Sequence, residues 1–291
     1  MKPDEKTSDL LRQMLEEDIG DGDVTSALFD SSASLQAVFR ARCEGVMAGG
    51  VFITKLFSLH DETVQTRTLV SEGDSFGPGD NLIHVNGPAR SVLEVERTAL
   101  NLLCRLCGIA TKTKRMVKIV AGHCDVLDTR KTTPLLRPFE KYAVKLGGGV
   151  NHRMGLYDQV LVKDNHLSLF AGGREDFERI VREARKKFSK RMVVEIEVDD
   201  LDQFKRALDA EPDILLLDNM SPQLMSKCVS FRDERVSAGG KRVLLEASGG
   251  INEKTIDEVA ASGVDRISMG ALTYAPVIVD IGLDAVEESD R

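Results

Sequence analysis

The chain has 291 residues, 42% of them hydrophobic and 30% charged, with a formal net charge of −8; it can bury a large core, enough for one barrel and a smaller attached domain. No stretch approaches the uninterrupted apolar length of a membrane span, and the opening Met1-Lys2-Pro3-Asp4-Glu5-Lys6 carries no apolar signal region, so neither a membrane nor a nucleic-acid partner is expected. The five cysteines, Cys43, Cys104, Cys107, Cys124 and Cys228, are odd in number and widely spread, which implies reduced thiols and a cytoplasmic protein.

Residues 7–17 read as a short amphipathic helix, with Leu10, Leu11, Met14 and Leu15 at helical spacing, followed by an acidic, glycine-rich loop over 19–25. Strands are expected at 35–42, 63–70 and around 82–85, with a helix over 51–59. A long helix should open at the capping box Ser91-x-x-Glu94, present Val92, Val95, Ala99, Leu102, Leu103 and Leu106 on one face, and end near Gly108. Cys104 and Cys107 fall inside that apolar pattern and read as core, not as half a zinc site. Helices beside antiparallel-looking strands make residues 1–110 an α+β domain.

From residue 111 onward strands alternate with helices, as in a parallel sheet with helical crossovers. Six strands are readable, at 125–127, 159–162, 192–197, 214–217, 243–246 and 265–269. Helices lie near 136–146, 174–188, 201–208, 222–231 and 253–261. Each strand ends in polar residues or glycine: Asp128-Thr129-Arg130-Lys131, Lys163-Asp164-Asn165, Glu197, Asp218-Asn219, Ser248-Gly249-Gly250 and Gly270. In a closed α/β barrel those ends converge on one face, where the active site belongs. Six strands are fewer than eight, so either short strands escape the reading or the barrel, spanning 111–272, is incomplete. The tail 273–291 shows no seventh strand-helix unit.

Charge is concentrated between Asp128 and His166. Arg130, Lys131, Arg137, Lys141, Lys145, Arg153 and Lys163 stand against Asp128, Glu140, Asp158 and Asp164, seven cations minus four anions, or +3 inside an acidic chain. Cations at strand ends fit a compact, multiply anionic ligand better than a basic solvated face. Arg130 and Arg153 supply planar forks for carboxylate or phosphate, whereas Lys131 and Lys163 are compact charges. Glu195 and Glu197 are two apart on a strand and share a face, so as buried carboxylates they need partners, for which Lys131 and Lys163 are the evident choice. Ser248-Gly249-Gly250-Ile251, before a helix expected to open near Asn252, fits a phosphate, and Met269-Gly270 adds a second such turn.

These residues also carry a resemblance. TRKTTP (129–134), the EKYAV-x-x-GGGVNHR-x-GLYD run (140–158), KDNH (163–166) and the opening Glu17-Asp18-Ile19-Gly20-Asp21-Gly22-Asp23-Val24-Thr25-Ser26 resemble the quinolinate phosphoribosyltransferase family, also called nicotinate-nucleotide pyrophosphorylase (carboxylating), over nearly the whole chain. The resemblance implies an incomplete α/β barrel with an N-terminal α+β, sandwich-like domain that the tail 273–291 returns to cover. It implies transfer of a phosphoribosyl group from phosphoribosyl pyrophosphate to quinolinate with decarboxylation, giving nicotinate mononucleotide, pyrophosphate and CO2 in de novo NAD biosynthesis.

Lys131, Lys163, Glu197 and Asp218 would be catalytic. Arg97, Thr129, Arg130, His152, Arg153, Ser248, Gly249, Gly250 and Gly270 would join them in binding substrate. Mg2+ would enter with phosphoribosyl pyrophosphate, held mostly by the diphosphate and water near Glu197 and Asp218, with no pre-formed protein site and no redox cofactor. Family members are dimers, and the resemblance implies that Arg97, by periodicity an ordinary solvated arginine, reaches the barrel mouth of the partner. Two departures stand out: Leu135 follows TRKTTP where the family usually has glycine, and Pro138 should start or reset the next helix. The rival readings are a paralogue acting on another pyridine carboxylate, a Schiff-base barrel lyase using Lys131 or Lys163, and a silent anion-binding relative.

Overall fold

The computed structural model describes residues 3–28, 30, 32–167, 169, 176–188 and 191–286. Its chain folds into two units, one of Met1–Lys114, Thr133–Gly148 and Ala275–Arg291, the other of Arg115–Thr132 and Gly149–Tyr274. The sequence reading put one boundary near 110 and assigned 133–148 to the barrel; in the structure that stretch packs with the first unit.

In the first unit, α1 (Glu5–Ile19) starts at Asp4, whose side chain accepts from the Thr7 N–H at 2.8 Å, and buries Leu11 and Leu15. Next come β1 (Ser34–Ala41), β2 (Gly45–Val46), α2 (Gly50–His60), β3 (Gln65–Thr68), β4 (Ser75–Phe76), β5 (Asn81–Pro88), α3 (Ala89–Val120) and α4 (Arg137–Leu146). The C-terminal strand Ile281–Ala285 lies antiparallel beside β1, which pairs with β5, which pairs with β3. Phe39, Phe52, Phe57, Leu82 and Ile83 are buried in this unit. Phe52 meets Phe139 and Tyr142 of α4 edge-on at 4.8 and 5.1 Å, which is why α4 belongs here.

α3 corrects two expectations. Ser91 does not cap it; the hydroxyl donates to Asp61 at 2.6 Å, and Glu94 accepts from Arg90 and pairs with His60. Gly108 does not end it, because the helix runs on to Val120. Glycine is there for space: a Cβ at 108 would collide with the Val277 carbonyl oxygen of the returning tail.

The second unit holds β6 (Asp125–Leu127), β7 (Val160–Val162), α5 (Asp164–Leu167), α6 (Phe177–Lys187), β8 (Val194–Val198), α7 (Leu201–Asp209), β9 (Ile214–Asp218), α8 (Pro222–Ser237), β10 (Leu244–Ser248), α9 (Ile256–Ala261), β11 (Arg266–Ser268) and α10 (Ala271–Tyr274). Residues 174 and 175, the expected start of α6, lie outside the described residues. All six strands are parallel, in the order β6-β11-β10-β9-β8-β7. That is the circular order of a barrel broken at one place, between β6 and β7, so the sheet is an incomplete barrel and not a closed one. At the break Val150 stands beside β6, its N–H bonded to Val126 and its carbonyl to the Asp128 N–H.

Strand alternation sorts the faces. Ile196, Leu215, Leu217, Leu245, Ala247 and Ile267 are buried, as are Phe204, Ala207, Met225 and Cys228 of the covering helices. Glu195, Glu197, Leu216, Asp218, Glu246, Ser248, Arg266 and Ser268 have the opposite parity. At the amino ends of the strands Asp213 pairs with Arg185 and Lys241, and Asp265 with Arg232 and Arg242, at 2.5 to 3.0 Å. Among the described residues no helix is long and apolar enough to cross a membrane.

Candidate active site

At the carboxyl ends of the strands of the second unit is a cavity of about 560 Å³. Its wall takes Thr129, Arg130 and Lys131 after β6, Lys163 after β7, Glu197 from β8, Asp218 from β9, Ser248 to Gly250 from β10 and Ser268 from β11. His152 and Arg153 enter through the break in the sheet: the Val150 bridge to β6 leads directly into them, and the Asp128 carboxylate accepts the His152 N–H at 2.9 Å. The missing strand pairing is therefore what admits an arginine and a histidine to the barrel mouth.

Individual contacts fix these groups. Lys163 Nζ is 2.6 Å from Glu197, whose pKa burial raises while Lys163 opposes the shift. Asp218 accepts from the Asn219 amide at 2.7 Å. The Thr129 hydroxyl accepts the Lys131 N–H, and the Thr273 hydroxyl donates to the Lys131 carbonyl. Gly270 is not in the wall but lets the Lys131 and Thr129 side chains pass, since a Cβ there would sit 2.8 Å from Lys131 Cδ. Burial first, and then the Arg130 charge, lower the Arg153 pKa, while Glu195 and Asp158 oppose the shift. Arg97 lies elsewhere, exposed on α3 in the first unit, and makes no hydrogen bond or ion pair among the described residues.

Beneath the cavity lies a layer that the sequence reading missed or mispaired. Glu195 does not reach for Lys131 or Lys163; its Oε2 pairs with His152 Nε2 at 3.3 Å and accepts from the Gln159 amide. Glu246, fully buried on β10, is 3.4 Å from the same Nε2 and 3.6 Å from Arg266 Nε. The signal for Glu246 was a lone carboxylate two residues before Ser248 in an otherwise apolar strand. His152 Nδ1 accepts the Arg153 N–H at 2.7 Å, so the ring proton belongs on Nε2, facing both carboxylates. Burial pulls the His152 pKa down and Glu195 and Glu246 push it up; because Nδ1 must stay unprotonated to accept the Arg153 N–H, the extra proton of the cluster belongs on a carboxylate. Burial and Glu246 raise Glu195. Three potential ligand atoms of His152, Glu195 and Glu246 lie within 4.8 Å of one another. They already serve one another and Arg266, as a charge-balanced cluster.

The Ser248-Gly249-Gly250 turn also differs from expectation. No helix opens near Asn252; α9 begins at Ile256 and has six residues. Gly249 (φ +94°) is crowded, a Cβ there colliding with the Asn219 side chain. Gly250 (φ +62°) has no atom within 4 Å of where its Cβ would be, so it is the glycine that leaves backbone open to a ligand.

An incomplete α/β barrel whose mouth gathers arginines, lysines and two carboxylates is built for a compact, multiply anionic substrate. Two family models cover the chain: the N-terminal domain of quinolinate phosphoribosyl transferase matches residues 23–107 and its C-terminal domain residues 109–284. A probable nicotinate-nucleotide pyrophosphorylase (carboxylating) of Bacillus subtilis is 37% identical over 276 residues, 94% of this chain and 92% of that protein. The nicotinate-nucleotide pyrophosphorylase (carboxylating) of Mycobacterium leprae is 39% identical over 283 residues, 95% and 96% of the two chains. The solved nicotinate-nucleotide pyrophosphorylase from Francisella tularensis superposes with a TM-score of 0.88 at 35% identity, covering 98% of both chains. The chain belongs to the quinolinate phosphoribosyl transferase family.

Proposed function

We propose that the protein transfers the phosphoribosyl group of phosphoribosyl pyrophosphate to the ring nitrogen of quinolinate and releases the 2-carboxylate as CO2, yielding nicotinate mononucleotide and pyrophosphate. The observation that carries this reading is the cavity itself, where Arg130, Lys131, Arg153 and Lys163 meet Glu197 and Asp218 on one wall. Four cations suit a dicarboxylate and a diphosphate together. In the first step the ring nitrogen bonds to the ribose carbon as pyrophosphate departs with the bonding pair. Lys131 and Lys163 stabilise the leaving group, while Glu197 and Asp218 face the ribose hydroxyls and the electron-poor centre. In the second step the carbon–carboxylate bond breaks and its electron pair, stabilised by the ring cation, takes up a proton.

The two cavity carboxylates are oxygen donors of the kind magnesium accepts, so Glu197 and Asp218 would hold Mg2+ carried in on the diphosphate, and the ion would neutralise phosphate charge there. The protein works in the cytoplasm as a homodimer with shared sites, Arg97 completing the cavity of the partner subunit. A Schiff-base lyase using Lys163 is disfavoured because that amine is engaged by Glu197 at 2.6 Å; borohydride with substrate should trap no adduct on it or on Lys131.

The decisive experiment compares quinolinate with nicotinate. Without the 2-carboxylate, cations in a closed site lose their partner, and kcat/KM should fall by about two decades or more. Comparable turnover of the two acids would overturn the assignment and favour a paralogue acting on another pyridine acid.

A further inference from the structure

The interior layer below the cavity is ionic where barrels of this kind are usually filled with branched apolar side chains. Glu195 and Glu246 are both fully buried, and Glu246 makes no conventional hydrogen bond through either oxygen. Two uncompensated carboxylates cannot persist there. Their partners are the Nε2–H of His152, between them at 3.3 and 3.4 Å, and Arg266 at 3.6 Å from Glu246. With one further proton on a carboxylate, the ring staying neutral so that Nδ1 can accept, the four groups sum to zero charge. Both nitrogens of His152 are thus engaged inside the protein, although the side chain lines the cavity.

We propose that Glu246, together with Glu195, is a positioning residue for the proposed reaction: the two buried carboxylates take the Nε2 proton of His152, and the ring so fixed accepts the Arg153 amide and sets that arginine at the quinolinate end of the cavity. His152 then acts through Arg153 and not as a direct donor to substrate. The charged groups around the ring are Glu195 from β8, Glu246 from β10 with Arg266 behind it from β11, Asp128 at the end of β6, and Arg153 itself. This inference rests on the proposed function for the identity of the ligand.

The test uses the full-length protein and the isosteric change Glu246→Gln, with Glu195→Gln as the second variant should the first not fold. Quinolinate and phosphoribosyl pyrophosphate affinities are measured by calorimetry on the variant and the unmodified protein. At pH 7.5 the variant should bind quinolinate about tenfold more weakly and phosphoribosyl pyrophosphate unchanged, and this loss should disappear in an Arg153→Ala background because the two act as one unit. Additive losses, or equal losses for both ligands, would overturn the proposal. So would a stoichiometric metal ion retained on the purified protein and lost with Glu246→Gln. Nitrogen-15 spectra of the five histidine rings read the Nε2–H tautomer of His152 without ligand; that signature intact in a protein unable to bind quinolinate would support the positioning and strike only the proposed function.

Discussion

Leu135 sits at φ +67° with 69% of its surface exposed, a left-handed conformation that costs a branched side chain about 1 kcal/mol or more. Leu135→Gly should therefore raise unfolding stability by about 1 kcal/mol, read as a higher denaturant midpoint at unchanged m-value; a lower midpoint would show that the unfolded-chain entropy of glycine outweighs the relief. Removing one half of the Lys163–Glu197 pair is costly instead. Lys163→Ala should leave a half-buried carboxylate with a still higher pKa and cut kcat by roughly two decades, which a pH–rate profile and steady-state kinetics would measure. Arg130, Lys131 and Lys163 were legible because each follows an apolar run in an acidic chain. Glu246 was not, since a single carboxylate within five strand residues has no period, and its partner His152 arrives from a segment nearly a hundred positions earlier. Gly249 and Gly250 were both legible as a turn, but only packing separates the one crowded by Asn219 from the one left open.

Element ends were less legible than element types, and the cause is long-range packing. Glycine at 108 reads locally as a helix stop, yet α3 passes through it because the tail backbone needs the room. Gly108→Ala should then destabilise the first unit by about 2 kcal/mol or more and loosen the strand Ile281–Ala285, seen as faster amide exchange along β1; an unchanged exchange pattern would contradict that reason for the glycine. Pro138 lies in the first turn of α4, as its geometry favours, but α4 joins the first unit through Phe139 and Phe52, a partnership between residues 87 positions apart (139 − 52) that no local pattern announces. At the amino ends of the strands, Asp213 and Asp265 oppose burial with arginine, lysine and backbone N–H contacts that hold both below the ordinary carboxylate value of 3.8. A depressed folded pKa gives stability that is present above 3.8 and lost as pH falls through the folded value. Asp265→Asn should accordingly remove part of the acid sensitivity while lowering stability at pH 7, as two unfolding series across pH 2 to 7 would register.

At the scale of the molecule, Arg97 is the residue whose proposed role needs a second copy. It is exposed, makes no hydrogen bond or ion pair among the described residues, and is carried by a helix of the first unit, while the cations that line the cavity all belong to the second. The proposed dimer gives it an anion to meet: each subunit donates the same arginine to the other across a two-fold axis. Losing one charge-assisted contact to a substrate carboxylate should cost about 1.5–3 kcal/mol, or roughly one to two decades in kcat/KM. Arg97→Ala and Lys131→Ala subunits, each impaired alone, are then to be dissociated, mixed and reassociated. In a heterodimer with shared sites, the barrel of the Arg97→Ala chain keeps Lys131 and receives an intact Arg97, while the other barrel carries both lesions. Activity should recover toward half that of the unmodified protein per heterodimer. If verified heterodimers show no recovery, Arg97 serves its own subunit or no site at all, and the open mouth of the barrel is completed from within one chain.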